Sequence, residues 1–298
     1  MVKKIWNYCN VPKHAAWVFM APALFILLVF TGIPLAASFL MGMSNTTVFM
    51  DGFSFIGFRN YIKAILDPRV INGLKNTFIF TLISIPLQIG FALLTASMLA
   101  QNKRIFQFLR GVYFIPTLCS FTAISVLFLM LLDKTSGIIP YWLKCLGFQN
   151  PPMLTQAHSA MAWIIIITLW RNFGTSMVIL IAGIQGISQN LYEAAAVDGA
   201  GTIRQFFSIT IPQLTSGIGF CVLTETIGCL QLFDQSYVLT KGGPMFGTES
   251  IVQYIYTVAF QNYDLGYASS IAALLFILIM IIVICINKII AKWEQENY

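Results

Sequence analysis

Four long stretches of this chain contain no Asp, Glu, Lys or Arg. They cover residues 15–40, 76–100, 111–132 and 265–287. A helix needs roughly 20 consecutive apolar residues to cross about 30 Å of hydrocarbon, and each stretch meets that length. The chain is therefore expected to be an integral membrane protein.

Two further apolar segments carry one acidic or basic side chain each. Residues 157–187 contain Arg171, and residues 209–233 contain Glu225. Composition supports counting both as spans, because 58% of the 298 residues are hydrophobic and only 9% are charged. Soluble domains carry about 25% charged residues. The sequence thus predicts an all-α integral membrane protein with about six transmembrane helices.

The basic residues indicate which side of the membrane holds the termini. Six spans place both ends on one side, and cytoplasmic loops carry an excess of Lys and Arg. Nine basic residues fall on the side of the termini and seven on the other, where four of them lie on or beside one long loop. The nine are Lys3, Lys4, Lys13, Lys103, Arg104, Arg110, Arg204, Lys288 and Lys292. Both termini are therefore expected to be cytoplasmic, in the plasma or inner membrane of a cell.

Motifs for catalysis are scarce. His14 and His158 are the only histidines in the sequence and neither has a Cys cluster beside it, which argues against a zinc site or a His-based triad. The sequence has no G-x-x-x-x-G-K-[ST] pattern to hold nucleotide phosphates. It has no run of Lys or Arg typical of nucleic-acid binding. We expect no catalytic residue, metal or cofactor in this chain, and any ATP to be hydrolysed by another subunit.

Residues 188–212 (the 188–212 segment) separate the fourth and fifth predicted spans. Strong helix formers occupy Leu191–Ala200, with Ser188 as a possible cap and Gly199 near the end. Thr202 can cap a second short helix. Composition alone is equally typical of a simple connecting loop.

The spacing of particular residues within the 188–212 segment is a more specific signal of function than its composition. It resembles the EAA signature of importer permeases in the ATP-binding-cassette family, which usually ends in Leu-Pro where this chain has Ile-Pro. The likeness continues in RGVYFIPTL, FDQSYVLTKGGP and YIYTVAFQNYDLGYASS, and covers most of the chain from Lys103 onward. The chain resembles a maltose-type permease subunit for carbohydrate uptake, with the type I importer (MetI-like) fold. The matching positions are Glu193, Ala194, Ala195, Gly199, Ile209, Ile211 and Pro212.

The resemblance implies partners and a division of labour. It implies a second homologous permease subunit, two ATPase subunits that hold ATP and Mg²⁺, and an extracellular solute-binding protein. A sugar, expected to be an oligosaccharide, would cross by alternating access. Residues 15–290 would form one permease domain, between a cytoplasmic lead-in at 1–14 and a cytoplasmic tail at 291–298. The 188–212 segment would be a coupling helix seated in a cleft of an ATPase subunit, through Glu193, Ala194, Ala195, Asp198 and Gly199.

Charges inside spans are costly, at least ~2.5 kcal/mol each on insertion scales, so Arg171 and Glu225 are functional candidates. Helical periodicity places each on a polar face, and in the resembling family these two stretches of helix hold the sugar. Two interpretations stay open: the two charges neutralise each other across a helix interface, or they contact the substrate. The predicted pathway residues are Thr168, Arg171, Asn172 and Thr175 on the fourth span, and Glu225, Gly228 and Cys229 on the fifth.

The end of the fifth span and the loop after it form a third candidate region. Family context puts this region near the docking face for the binding protein, although Asp234 also fits a solvated helix end. The predicted docking residues are Asp234, Tyr237, Gly242, Gly243 and Pro244.

The alternative function is a secondary transporter driven by an ion gradient, which usually has internal repeats and paired broken helices. The sequence indicates neither.

Overall fold

The structure is a computed structural model that describes residues 12–49, 54–148 and 151–297. Within these ranges it is built from helices, and its β structure is one isolated antiparallel bridge between Ser44 and Phe55. The all-α fold class is confirmed. The described α-helices are α1 (Pro12–Leu27), α2 (Ile33–Gly42), α3 (Arg59–Leu66), α4 (Pro68–Leu99), α5 (Arg104–Leu118), α6 (Phe121–Leu131), α7 (Ile138–Cys145), α8 (Ala157–Gly186), α9 (Gln189–Val197), α10 (Thr202–Gln205), α11 (Ile211–Gln213), α12 (Thr215–Leu230), α13 (Ile251–Tyr256) and α14 (Leu265–Asn297). π-helical turns lie at Leu28–Gly32, Phe206–Thr210, Ser236–Thr240 and Thr257–Gln261.

Candidate membrane spans follow the apolar runs of the sequence. Four are long and apolar enough by themselves: Phe19–Gly42, α4, α8 and Leu265–Gln295. Two more consist of bent helix pairs, α5 with α6 at 93° and Thr202–Gln213 with α12 at 70°. Counting each pair as one span gives the six that the sequence predicts.

The bends in the third and fifth spans are not expected from the apolar pattern, and each lies just after a proline. Pro116 lies just before the first break, and Pro212 just before the second. A proline removes a backbone N–H and its ring clashes with the preceding turn, which kinks or ends a helix. At the breaks, Cys119 N donates to Pro116 O over 3.2 Å, and Leu214 N donates to the carbonyl of Ile211 over 3.1 Å.

The chain divides into two compact units. One comprises Met1–Leu66 and Ile255–Leu275, and the other comprises Asp67–Tyr254 and Phe276–Tyr298. The single permease domain at residues 15–290 stays a prediction. Most of the predicted lead-in lies outside the described residues, and the described part of it begins α1.

The larger unit contains the pathway residues that the sequence predicts. Its helix α4 packs most extensively against α8, which also packs against α5 and α12. Gly174 lets α5 and α8 approach closely, because a Cβ there would lie 2.8 Å from the Tyr113 carbonyl oxygen and 3.0 Å from Thr117 Oγ1. The buried clusters form around Phe80, Ile124, Leu132, Met153, Met161, Ile164, Ile165, Ile167, Cys229, Leu232 and Leu239, and around Ile89, Ala92, Ala96, Leu99, Phe173, Met177, Leu180, Ile181, Leu214, Ile218 and Cys221.

Candidate functional site

The 188–212 segment folds as an exposed helical hairpin of α9 and α10. Four of the five predicted coupling residues are exposed and Ala195 is half-buried. Two apolar side chains are also open, since Val197 is 89% exposed and Ile203 is 77% exposed. The hairpin therefore exposes small, acidic and apolar residues. The exposed coupling residues are Glu193, Ala194, Asp198 and Gly199.

Gly199 ends α9 in a left-handed conformation with φ of +77°. Its N–H donates to the Ala196 carbonyl over 3.1 Å, and Ala200 N donates to the Ala195 carbonyl over 2.8 Å. This is the Schellman pattern, which favours glycine because other residues are strained there. A Cβ on Gly199 would meet no atom of this chain within 4 Å. An added side chain at this turn would therefore point into the space outside the hairpin.

The second half of the hairpin differs in detail from the expectation. Gly201 is the N-cap of α10, and Thr202 is its first helical residue. The helix then passes through a π-helical turn, in which Thr210 Oγ1 lies 2.9 Å from the Tyr192 hydroxyl. Gln205 Nε2 donates to the carbonyl of Ala200 over 2.9 Å. These side-chain contacts fix α9 against the helix that leads to the fifth span.

Glu225 and Arg171 have separate hydrogen-bond partners. Glu225 Oε1 accepts from Ser176 Oγ over 3.2 Å, which joins α12 to α8. Neither Arg171 nor Glu225 forms an ion pair within 4.0 Å with another described side chain. Arg171 and Glu225 therefore do not form a direct pair in this structure.

The Arg171 side chain contacts the break between α5 and α6 in the third span. Its Nε and Nη2 donate to the Cys119 carbonyl over 3.3 and 3.1 Å, and its Nη1 donates to Asn172 Oδ1 over 2.9 Å. Its guanidinium carbon lies 4.1 Å from the ring centroid of Phe121, the first residue of α6. Thr117 Oγ1 donates in return to the Arg171 carbonyl over 2.8 Å. The arginine thus binds both sides of the break through a carbonyl and an aromatic face.

The predicted pathway residues differ in how far neighbouring helices bury them. Thr168 and Cys229 are buried inside the chain. The Thr168 hydroxyl donates to the Ile164 carbonyl over 2.8 Å, and Gln88 Nε2 donates to Cys229 Sγ over 3.9 Å. Thr168 and Thr175 share a helix face but lie about 10 Å apart along its axis, so neighbouring helices cover only the first. The residues that are exposed or half-buried are Arg171, Asn172, Thr175, Glu225 and Gly228.

The loop at residues 231–250 (the 231–250 loop) carries the predicted docking residues. Asp234 is exposed. The Tyr237 ring stacks on Phe233, with ring centroids 5.3 Å apart and 13° between the planes. Gly242 is buried with φ of +82°, and a Cβ there would lie 2.9 Å from Gln253 Nε2. The turn at Gly242 therefore requires glycine.

An ion pair holds the far side of this loop to the start of α4. Arg69 Nε donates to Glu249 Oε2 over 2.9 Å, and Arg69 Nη2 donates to Glu249 Oε1 over 2.8 Å. The Arg69 guanidinium carbon lies 4.1 Å from the Phe246 ring centroid and 4.9 Å from that of Tyr254. Asn76 Nδ2 donates to the carbonyls of Phe246 and Glu249 over 2.9 and 3.0 Å. The loop is thus rigidly supported beside its exposed tip, where Met245 is 98% exposed.

Within the described ranges, no group of three or more His, Cys, Asp or Glu side chains is placed to hold a metal ion. The candidate site therefore consists of an exposed hairpin, an open polar face between two spans and a supported loop. These three features fit a protein that moves a solute and contacts partners.

Family comparison decides between the transporter classes. Residues 68–295, more than half of the chain, match the family described as binding-protein-dependent transport system inner membrane component. The chain belongs to this family. It is accordingly a multi-pass membrane permease, as its candidate spans indicate.

Curated relatives of this permease share nearly its whole length. It is 33% identical over 286 residues to the lactose transport system permease protein LacF of Rhizobium radiobacter, covering 94% of each chain. It is 32% identical over 295 residues to the probable ABC transporter permease protein YurN of Bacillus subtilis, covering 96% of this chain and 99% of the relative.

A solved structure has the same fold. A bacterial alginate ABC transporter, crystallised in complex with an alginate pentasaccharide-bound periplasmic protein, superposes with a TM-score of 0.83 at 20% identity. The match covers 98% of this chain and 99% of that chain. The type I importer (MetI-like) fold expected from the sequence is thereby confirmed.

Sequence reasoning missed two groups of residues in this permease. Ser176 follows Thr175 and lies off the predicted polar stripe, so periodicity gave no signal for its contact with Glu225. Arg69 and Glu249 lie 180 positions apart, and the sequence contains no local pattern that pairs them.

Proposed function

We propose that this permease is one of two membrane subunits of an ATP-driven sugar importer, and that the 188–212 segment couples it to the ATPase subunits. The exposed hairpin is the observation that carries the proposal. Its EAA residues lie on a helix that ends at a glycine with φ of +77°, where a Cβ would meet no other part of the chain within 4 Å. A sugar substrate is supported by the names of relatives, which include lactose, multiple-sugar and arabinooligosaccharide transport permeases.

A partner cleft would contact the hairpin mainly through the end of α9. Small side chains at Ala194 and Gly199 allow close backbone approach, and Val197 supplies apolar area at 89% exposure. A shallow cavity of about 220 Å³ lies behind this tip and is lined partly by Asp198 and Arg204. It can receive a polar side chain of the ATPase subunit. ATP and Mg²⁺ would be bound by that partner.

The sugar would contact the open polar face between α8 and α12. Arg171 and Asn172 offer donors, while Glu225 offers acceptors and is oriented by Ser176. Gly228 leaves room for a sugar ring because it carries no side chain. Thr168 and Cys229 are buried in this conformation, so they belong to the pathway only if the spans rearrange during alternating access.

The 231–250 loop would face the solute-binding protein, and both termini would be cytoplasmic. The loop connects the fifth and sixth candidate spans, whereas the hairpin connects the fourth and fifth. With the bent pair of Thr202–Gln213 and α12 counted as one span, the two segments would lie on opposite sides of the membrane. One side can then take the ATPase and the other the binding protein. Asp234, Tyr237, Gly243 and Pro244 lie on or near the accessible part of this loop, and Gly242 forms its turn.

Reconstitution with the partner permease, the ATPase subunits and the binding protein tests the proposal. The wild-type complex should hydrolyse ATP and import sugar only when binding protein is present. Gly199→Asp should abolish import, because the added side chain occupies the space of the ATPase cleft. Gly201→Asp is the matched control, since Gly201 is an N-cap with φ of −69°, where Asp is favourable.

Two results would contradict the proposal. Full sugar import by Gly199→Asp would remove the coupling role of the hairpin. Import by this chain without ATPase subunits, driven by an ion gradient, would instead support the secondary-transporter alternative.

A further inference from the structure

Helix α7 (Ile138–Cys145), in the loop between the third and fourth spans, has two apolar faces. Ile139 and Leu143 pack on the buried cluster around Phe80 and Ile164. The opposite face is open and carries Ile138, Tyr141, Trp142 and Leu146, which are 54%, 64%, 62% and 73% exposed. Their spacing of three, four and eight residues is the period of one helix face. A helix in water would not keep this second face apolar.

A tight turn holds α7 beside the end of the third span. Asp133 Oδ1 accepts from the backbone N–H and the hydroxyl of both Thr135 and Ser136, over 2.7 to 3.0 Å. Gly137 packs so closely that a Cβ would overlap the carbonyls of Leu131 and Asp133. The chain therefore turns back directly onto the last turn of α6. The start of α7 lies level with the end of a membrane span.

We propose that the open face of α7, formed by Ile138, Tyr141, Trp142 and Leu146, lies in the bilayer surface and binds lipid. The inward face rests on side chains of the spans, so the outward face points away from the helix bundle at the depth where hydrocarbon meets headgroups. Tyr and Trp concentrate at this depth because their rings are apolar and carry a polar N–H or O–H. Lys144 is exposed beside the apolar face, where its amine can reach lipid phosphate. Helix α7 thereby anchors the end of the third span to the membrane surface.

Tryptophan quenching by brominated lipids tests this placement. The full-length chain is reconstituted in vesicles whose acyl chains carry bromine either next to the headgroup or near the terminal methyl. The Trp142 signal is the difference between the wild type and Trp142→Phe. We expect bromine next to the headgroup to quench that signal by roughly half or more, and deep bromine to quench it much less, since interfacial rings lie at headgroup level.

Trp163→Phe is the matched control. Trp163 is partly buried against the inward cluster, so its removal should leave the shallow quenching unchanged. A Trp142 signal that neither lipid quenches would overturn the proposal, and so would stronger quenching by the deep bromine. The measurement is repeated on the importer assembled with its partner subunits and binding protein. Loss of quenching there would assign the face to a protein partner and also overturn the proposal.

Discussion

Replacing Arg69 with Met should lower the free energy of unfolding by about 3 kcal/mol, because it leaves the Glu249 carboxylate buried without a cation. Glu249 is 1% exposed, and Arg69 contacts both of its oxygens over 2.8 and 2.9 Å. Removing one member of a buried pair costs roughly 3–5 kcal/mol. The lower end applies because the Arg69 side chain is 33% exposed and water relieves part of the cost.

Thermal unfolding of the purified protein in detergent measures this loss. One kcal/mol lowers Tm by roughly 2–4 °C in a chain of this size range, so Arg69→Met should lower Tm by about 6–12 °C. The double variant Arg69→Met with Glu249→Leu should recover most of the loss, since apolar replacement of both partners is often neutral. Lys75→Met is the control, because Lys75 is an exposed cation on the same helix.

Two outcomes would refute this reasoning. If Arg69→Met lowers Tm no further than Lys75→Met, the pair contributes no more than a surface charge. Alternatively, the double variant could lose as much as the two single variants together. The buried carboxylate would then not be the source of the cost, because removing it brings no relief.

Two further predictions concern other hydrogen bonds. Ser176→Ala should raise the KM for sugar uptake while leaving ATPase assembly intact, because Glu225 loses the donor that orients it. Equal KM values for Ser176→Ala and the exposed-site control Thr224→Ala would contradict this. Burial, and then the hydrogen bond to Asp67, raise the pKa of Tyr254 above its ordinary value of 10.0. Above pH 10 the folded chain therefore keeps the Tyr254 proton that the unfolded chain loses. The contribution of Tyr254 to the free energy of unfolding is fully present below pH 10 and is lost as pH rises through the folded-state pKa. Alkaline unfolding of Tyr254→Phe should lack that pH dependence, and identical profiles would contradict the prediction.

The apolar runs predicted the spans well because a bilayer demands one property over a long stretch. The bends were harder to predict, since proline alone does not decide them. Pro86 lies inside α4, which continues as one helix to Leu99. Pro116 and Pro212 precede breaks, and at the first of these Arg171 satisfies a carbonyl that the break exposes. Whether a proline breaks a span therefore depends on a partner from another helix, which the local sequence does not contain.

The hairpin was predictable for the opposite reason. Its helix, its glycine turn and its exposure depend on residues within a few positions of one another. The pathway face depends on how α8 meets its neighbours at each depth, which is why Thr168 is buried although it shares a stripe with Thr175. Periodicity finds the face of a helix, but packing decides how far along that face remains open.

The arrangement of the fifth span gives a physical route between the hairpin and the polar face. Residues from Thr202 to Gln213 form one arm and α12 forms the other, with the 70° elbow at Leu214 between them. Leu214 is 2% exposed and packs in the cluster that includes Met177 of α8. We therefore expect a displacement of the hairpin arm to act on the α8–α12 contact, because the elbow side chain is packed rather than loose. That contact includes the hydrogen bond from Ser176 to Glu225, so movement of the hairpin would reach the polar face through packed helices.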